Sequence, residues 1–324
     1  MAWQTPAKTQ TFVFLLLENF TLSSLAGGLE PLRLANRASG QTLYEVRVVS
    51  ETGAPVLSSS GVAISCNGAL EDLSKDSTII VVSGINVHKA MTRGILTWLL
   101  RQSRKGLAIG GFCTATHVLA EAGLLDNRQA TIHWENRDSF EEQYPDVLLT
   151  EKIFVIDANR FTASGGTASI DLMLTLIARS HGSDLANRVA DQLIHTSLRS
   201  GKEEQRLSIP TRIGVRHPKL AAIIQRMEEN IEEPISPTVL AQEAGLSTRQ
   251  LERLFRRYLN RSPKRYYMEL RLQKARNLLL QTDMSVINVA LACGFTSPSH
   301  FSKCYRGLYE TTPYRERGTR SEPA

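Results

Sequence analysis

The chain has 324 residues, 38 Lys+Arg against 32 Asp+Glu, a formal net charge of +6, and 42% apolar residues. That length predicts about two domains, and the apolar fraction is ample for two cores. The four cysteines, Cys66, Cys113, Cys293 and Cys304, are scattered with no Cys-x-x-Cys pair. Their spacing argues against a disulfide framework or a zinc site and fits a reducing cytoplasm.

From the start, residues 1–10 are polar and carry no apolar signal-peptide core. The apolar run at 12–17 is far too short to span a membrane. Short strands rich in Val, Ile, Leu and Phe are expected at 11–17, 44–50, 78–83, 107–110, 130–133 and 154–156. Helices are expected at 22–38, 89–101, 114–122, 167–179 and 184–198. This alternation predicts an α/β three-layer sandwich with a mostly parallel sheet, whose ligands bind beyond the carboxyl ends of the strands. A Gly-x-Gly-x-x-Gly run and a Gly-Lys-Ser/Thr phosphate loop are both absent, so no nucleotide cofactor is expected, and no metal.

One stretch of this domain carries chemistry. Residues 107–116 read as a strand, a Gly-Gly turn, Cys113, and a helix start at Thr114. A cysteine at such an elbow projects from the sheet edge, and the helix start behind it favours a thiolate or a bound anion. Phe112 and Trp134 are candidates to face a cation.

The stretch 200–216 is polar, with Gly201, Lys202, Glu203, Glu204 and Pro210, and reads as an exposed linker between domains at 1–199 and 217–324. Charge divides along the same line. Residues 1–216 hold 21 Lys+Arg and 21 Asp+Glu, whereas residues 217–324 hold 17 and 11. An excess confined to one domain is the electrostatic footprint of nucleic-acid binding.

Within the basic domain one pattern is written twice. The first copy runs through Leu240-Ala241, Ala244-Gly245-Leu246-Ser247, Leu251, Leu254-Phe255 and Tyr258 to Ser262-Pro263. The second runs through Val289-Ala290, Cys293-Gly294-Phe295-Thr296, Phe301, Cys304-Tyr305 and Leu308 to Thr312-Pro313. Each copy reads as a short helix, a turn opening on Gly, and a second helix with an apolar i, i+3, i+4, i+7 stripe. Two helix-turn-helix motifs are thus expected, at about 236–258 and 285–308. Gly245 and Gly294 stand where positive φ is needed. Ser247 is a candidate N-cap, and Ser297-Pro298 a strong helix start. The outer faces carry Arg249, Gln250, Arg253 and Arg256 in one copy and Ser299, His300, Lys303 and Arg306 in the other.

The segment from about 218 to 317 resembles the AraC/XylS family of transcription regulators, most specifically in the run from Val289 to Lys303 and the Thr312-Pro313-Tyr314-Arg315 end. The resemblance implies an all-α unit of seven helices, with residues 265–281 joining its two helix-turn-helix modules. The N-terminal domain resembles the class I glutamine-amidotransferase-like superfamily that contains the PfpI proteases, and more closely the sensor half of AraC-type regulators built on that fold. The matching stretches are 19–36, 112–125, Thr131-Ile132-His133-Trp134 and 164–171. By that likeness Cys113 matches the superfamily's nucleophile, but its carboxylate position falls on Ser24, with Glu18 and Glu30 out of register. Serine cannot replace a carboxylate as an acid or base at neutral pH. Cys113 thus reads as a vestigial nucleophile with no catalytic partner.

The expectation is a cytoplasmic, sequence-specific transcription regulator rather than an enzyme. The alternative is a cysteine-dependent hydrolase or hydratase with an attached DNA-binding domain. A small effector is expected in a pocket lined by Ser24, Glu30, Gly84, Phe112, Cys113, Thr114, His133 and Trp134. Regulators of this composite kind respond to arginine, carnitine or glycine betaine. Double-stranded DNA would be contacted by Ser247, Arg249, Gln250, Arg253, Arg256, Ser297, Ser299, His300, Lys303 and Arg306. The readers are Arg249, Gln250 and Arg253 in one half-site and His300 and Lys303 in the other, with Arg256 and Arg306 on phosphates. The resemblance further implies a homodimer that contacts RNA polymerase and activates transcription.

Overall fold

A computed structural model describes residues 9–195, 199, 201, 203, 205, 206, 208–282 and 284–318. The readings of the first eight residues, and of the helix end at 196–198, lie outside the described residues. The chain divides into two compact units, Met1–Gln205 and Arg206–Ala324.

The first unit runs β1 (Gln10–Leu16), α1 (Leu22–Ser39), β2 (Tyr44–Val49), a small hairpin of β3 (Val56–Leu57) and β4 (Ala63–Ile64), β5 (Thr78–Val82), α2 (Val87–Ala90) and α3 (Arg93–Arg104). It continues with β6 (Ala108–Phe112), α4 (Ala115–Glu121), β7 (Gln129–Ala130), α5 (Arg137–Gln143), β8 (Leu148–Leu149), β9 (Phe154–Asp157), β10 (Arg160–Ala163), α6 (Ala168–His181) and α7 (Ser183–Gln192). Six strands form one sheet in the order β2-β1-β5-β6-β10-β9, parallel except where β9 pairs antiparallel with β10.

The period of the strands divides the core into two layers. Phe12, Phe14 and Leu16 of β1 face α1, α6 and α7 with Leu32, Leu172 and Val189. Val13, Leu15 and Leu17 face the other way, onto Trp98 and Leu99 of α3 and Leu119 of α4.

The sequence reading differs from the structure in several places. The strand expected over 130–133 is only the two-residue β7, because the chain turns at His133 into a 3-10 turn, and the short strands β3, β4 and β8 were not expected. Strand β10 was not expected, because Arg160 opens it. The side chain is nonetheless buried, with its NH1 donating to the Leu107 and Asn159 carbonyls. The helix expected over 89–101 is two pieces, α2 and α3, separated where Thr92 caps Ile95 N (3.1 Å). Helix α7 ends at Gln192, short of the expected extent, and Ile194 follows at φ +54°.

The second unit contains α8 (Ile209–Ile213), α9 (Pro218–Glu229), α10 (Pro237–Glu243), α11 (Thr248–Leu259), α12 (Pro263–Gln281), α13 (Val286–Ala292), α14 (Pro298–Tyr309) and α15 (Pro313–Gly318). From Pro218 onward these are seven helices, and α12 joins the two helix-turn-helix pairs. Within the stretch 200–216, expected as an exposed linker, α8 forms, and Ile209, Ile213 and Val215 are partly buried against the unit's core.

The duplicated sequence gives duplicated structure. Leu251 and Phe255, and Phe301 and Tyr305, are fully buried at matching places. The fourth residue of each stripe lies at the core's edge instead: Tyr258 is 36% exposed and Leu308 38%. Both turn glycines have positive φ, +62° at Gly245 and +72° at Gly294. They differ in surroundings. A Cβ at Gly294 would lie 2.7 Å from the carbonyl oxygens of Ile231 and Glu232, whereas at Gly245 its nearest neighbour is Lys219 Nζ at 3.8 Å. Gly245→Ala should therefore cost about 1 kcal/mol, for the backbone conformation alone. Gly294→Ala should cost about 1–3 kcal/mol more, because overpacking adds to the strain. Urea melts of the two variants check this, and equal losses would contradict it.

Arg271 of α12, not singled out from sequence, closes the second turn. Its Nε and NH2 donate to the carbonyls of Cys293 (2.7 Å) and Gly294 (2.6 Å), and its guanidinium lies 4.2 Å from the Phe295 ring centre. Lys219 makes a longer contact of the same kind to the Gly245 carbonyl, at 3.4 Å.

Candidate functional site

Register builds the site of the first unit. Leu16 pairs with Val82, Val82 with Phe112, and Phe112 with Ala163, so four parallel strands end in one row. The residues that follow, Leu17, Ser83, Cys113 and Ser164, leave the sheet side by side. A crevice beyond the carboxyl ends of the strands is where this architecture binds ligands.

Cys113 sits at the centre with φ +61°, a left-handed conformation that costs an L-residue energy. Its backbone N–H donates to the Ala163 carbonyl (2.9 Å), which ties the elbow to β10. The thiol is buried. Thr21 Oγ1 donates toward its sulfur at 3.6 Å. Burial pushes the thiol pKa up, and the nearby Glu135 carboxylate adds to this, while bonds from the Thr21 hydroxyl and Thr114 N–H act the other way. The thiol is therefore held protonated at neutral pH, opposite to what a nucleophile needs.

Ser24, fully buried in the first turn of α1, is already engaged. Its hydroxyl accepts from Gly166 N–H at 3.0 Å. Gly165, at φ +99°, lies against the elbow so closely that a Cβ there would be 2.9 Å from Cys113 Cβ. Thr114 donates to the Gly84 carbonyl (2.6 Å) and bonds Ser83 Oγ (2.7 Å). Gly84 itself is pressed against the chain after β1, where a Cβ would sit 2.3 Å from the Asn19 carbonyl oxygen.

His133 and Trp134 are half-buried in a short 3-10 turn, ring centres 5.6 Å apart. The His133 ring nitrogen accepts from Glu135 N–H at 3.4 Å, and burial lowers its pKa. No hydrogen bond joins His133 to Cys113 among the described residues. Two expected lining residues stand elsewhere. Phe112 is fully buried, its ring edge filling the space beside Gly28 and Phe14. Glu30 is on the partly exposed side of α1, paired with Arg33 at 2.6 Å. Both follow from period: Phe112 is the last inward residue of β6, and Glu30 lies most of two turns beyond Ser24.

One group that sequence reading did not single out lies a turn beyond the elbow. His117 is completely buried, neither ring nitrogen has a hydrogen-bond partner, and its ring packs edge-on to His88 (4.8 Å), Phe140 (5.1 Å) and Tyr144 (5.8 Å). Burial and the His88 charge push its pKa down to about 3. Nothing in the sequence marks it, since α4 also carries Thr116 and Glu121 and His117 reads there as an ordinary helix residue. No group of three or more His, Cys, Asp or Glu among the described residues is placed to hold a metal.

In the second unit, several arginines away from α11 and α14 are ion-paired. Arg212 meets Glu228, Arg226 meets Glu243, Arg265 meets Glu269 and Arg276 meets Glu316. On α11 and α14, Arg249, Arg253, Lys303 and Arg306 are exposed with no ion pair among the described residues. Arg256 has only a 3.9 Å contact to Glu252 and is 77% exposed. A cation with no internal ion pair has none to break before it meets an anionic partner such as a phosphate. Ser247, Ser297 and Ser299 are exposed at the helix starts.

Two of the expected readers are already occupied within the protein. Ser247 Oγ accepts from Gln250 N (3.2 Å), while Gln250 Oε1 accepts from Ser247 N (2.7 Å), a complete capping box. A bidentate adenine contact needs the Gln carbonyl oxygen as well as its NH2, and the closed box already engages that oxygen and fixes its direction at the helix start. On α14, Ser297 Oγ caps His300 N (3.3 Å), and the His300 ring bonds Cys304 Sγ at 3.3 Å.

Residues 16–179 match the DJ-1/PfpI family, and residues 240–318 match a helix-turn-helix domain family. The chain is 46% identical to the HTH-type transcriptional regulator CdhR of Pseudomonas aeruginosa, over 95% of this chain and 92% of that one. It is 44% identical to the HTH-type transcriptional regulator GbdR of the same species, over 95% and 84%. A crystal structure of an AraC family transcriptional regulator from Pseudomonas putida superposes with a TM-score of 0.51 at 28% identity, covering 57% of this chain and 99% of the other.

Proposed function

Because the chain belongs to the AraC-type transcriptional regulators that carry an N-terminal DJ-1/PfpI domain, we propose that its first unit binds a small metabolite and thereby controls transcription without turning that metabolite over. The observation that carries this is the pairing pattern of the cations. Several arginines elsewhere in the second unit are ion-paired, whereas Arg249, Arg253, Lys303 and Arg306, on the two helices that follow the turn glycines, are exposed with no ion pair among the described residues. Arg249 and Arg253 read bases from α11, Lys303 reads from α14, and Arg256 and Arg306 hold phosphates. Gln250 and His300 act first as parts of their own helix starts.

The effector we favour is a zwitterion, an amino acid or a quaternary ammonium carboxylate. Trp134 and the exposed Glu135 supply a ring face and a negative charge for its cation. The Glu135 charge is felt at Cys113, which supports one shared crevice. Following the family pattern, the protein works in the cytoplasm as a homodimer that activates transcription through RNA polymerase.

One observation favours the enzyme alternative: Cys113 is held at positive φ, as a nucleophile on an elbow is. Against it stand a thiol with a raised pKa and the Ser24 hydroxyl, which accepts a structural hydrogen bond and carries no acid to shuttle protons. Thermal melts with glycine betaine, L-carnitine and L-arginine test the regulator. A ligand at about 100 times its Kd adds roughly 2.7 kcal/mol to stability. Cys113→Ser is expected to keep both that shift and the transcriptional response, since size and hydrogen bonding are nearly preserved. A variant that still binds but no longer activates would put thiol chemistry back into the mechanism.

A further inference from the structure

Past α7 the described residues His195, Arg199, Glu203 and Gln205 are fastened to the loops that frame Cys113. His195 Nε2 lies 2.8 Å from Asp171 Oδ1. Arg199 holds the same carboxylate three ways, through Nε (3.0 Å) and NH2 (2.6 Å) to Oδ2 and through its backbone N–H (3.1 Å) to Oδ1. The Asp171 side chain is wholly enclosed in this arrangement. Arg199 NH2 also donates to Thr167 Oγ1 at 2.6 Å.

Thr167 ends the Gly165-Gly166 loop. That loop lies on Cys113 at one glycine and bonds Ser24 at the next. Farther along, the Glu203 carbonyl accepts from Ile153 N–H (3.1 Å), and the Ile153 carbonyl accepts from Ser164 N–H (2.9 Å). Gln205 Nε2 reaches Thr131 Oγ1 (2.9 Å) and the Ile132 carbonyl (2.8 Å), immediately before His133.

We propose that the anchors His195, Arg199, Glu203 and Gln205 form a strap that fastens the cover over the sensor's elbow, with Arg199 its positioning residue. The proposal takes the elbow to be the effector site. Any molecule touching Cys113 or Ser24 meets Gly165 and Gly166, which have no side chains to lock them. Their carbonyls accept from Ala168 N–H (3.1 Å) and Ser169 Oγ (2.7 Å), the Ser24 hydroxyl holds the Gly166 N–H, and the Thr167–Arg199 bond fastens the loop from outside α6. A shift of the loop is passed through Thr167 to Arg199. Coupling of this kind is reciprocal: loosening the strap must loosen the cover over Cys113.

Reciprocity allows a test that needs no effector. The full-length protein is alkylated with iodoacetamide, and each cysteine is followed by peptide mass spectrometry. Arg199→Ala is expected to speed labelling of Cys113 by about tenfold while leaving Cys66, in the same unit, unchanged. Thr167→Val, which keeps the Asp171–Arg199 ion pair, should give the same selective rise even if Arg199→Ala folds poorly. In the other direction, wild-type protein already alkylated at Cys113 should be cut faster by trypsin after Arg199. Cys113 labelling unchanged in both variants, or Cys66 rising in step with it, would overturn the strap. The regulator reading is judged separately, by operator binding and the thermal shifts.

Discussion

Alanine at both Arg253 and Lys303 is expected to weaken operator binding by about 2–6 kcal/mol, since a base-reading cation is worth about 1–3 kcal/mol. The two residues belong to different helix-turn-helix copies and share no partner, so their losses should add. Neither has an internal ion pair to lose, which makes the loss a binding effect and leaves the folded state nearly untouched. Fluorescence anisotropy on operator and scrambled duplexes reads this out. Arg253→Ala alone should also relax preference at one base pair. An equal loss on scrambled DNA would reassign both side chains to phosphates, with a shallower salt dependence.

The second large effect is expected on acidification. His117 folds as a neutral ring with its pKa pushed down to about 3, whereas in the unfolded chain it takes up a proton near pH 6.5. Its depressed pKa therefore stabilises the fold fully above about pH 6.5, and that contribution is lost as pH falls toward 3. The slope is about 1.4 kcal/mol per pH unit, or about 3 kcal/mol between pH 7 and pH 4. His117→Leu keeps similar volume and removes two buried unpartnered nitrogens. It should be neutral to stabilising at pH 7 and more stable than wild type by a margin that widens with acid. Chemical denaturation at several pH values checks it. Parallel curves for the two proteins would mean that other groups carry the acid sensitivity.

Much of this molecule was legible before any coordinates, for identifiable reasons. The duplicated stripe in the second unit fixed its helices because a 3.6-residue period and a turn glycine leave little choice. The elbow at Cys113 was legible because Gly-Gly before a cysteine and a helix is rare for packing alone. What escaped has a common cause. Arg160 looked like a surface residue but pairs with carbonyls inside the sheet, and His117 looked like any helix residue. Phe112 and Glu30 are near the elbow in sequence, yet strand alternation and helical rotation turn both away from it. The bonds of Arg199 and Gln205 span 28 and 74 residues, distances at which a single sequence carries no trace of pairing.

The capping box at Ser247 and Gln250 has a consequence for how such a protein changes its target. Position 250 looks like a natural handle for respecifying an operator, since it sits on the exposed start of a reading helix. But its carbonyl oxygen secures that helix start, so a substitution chosen for a new base also opens the capping box and takes the Ser247 N–H's acceptor away. Arg249 and Arg253 carry no such second duty. New operator preferences should therefore arise first at 249 and 253, with 250 following only once stability has been gained elsewhere in the unit.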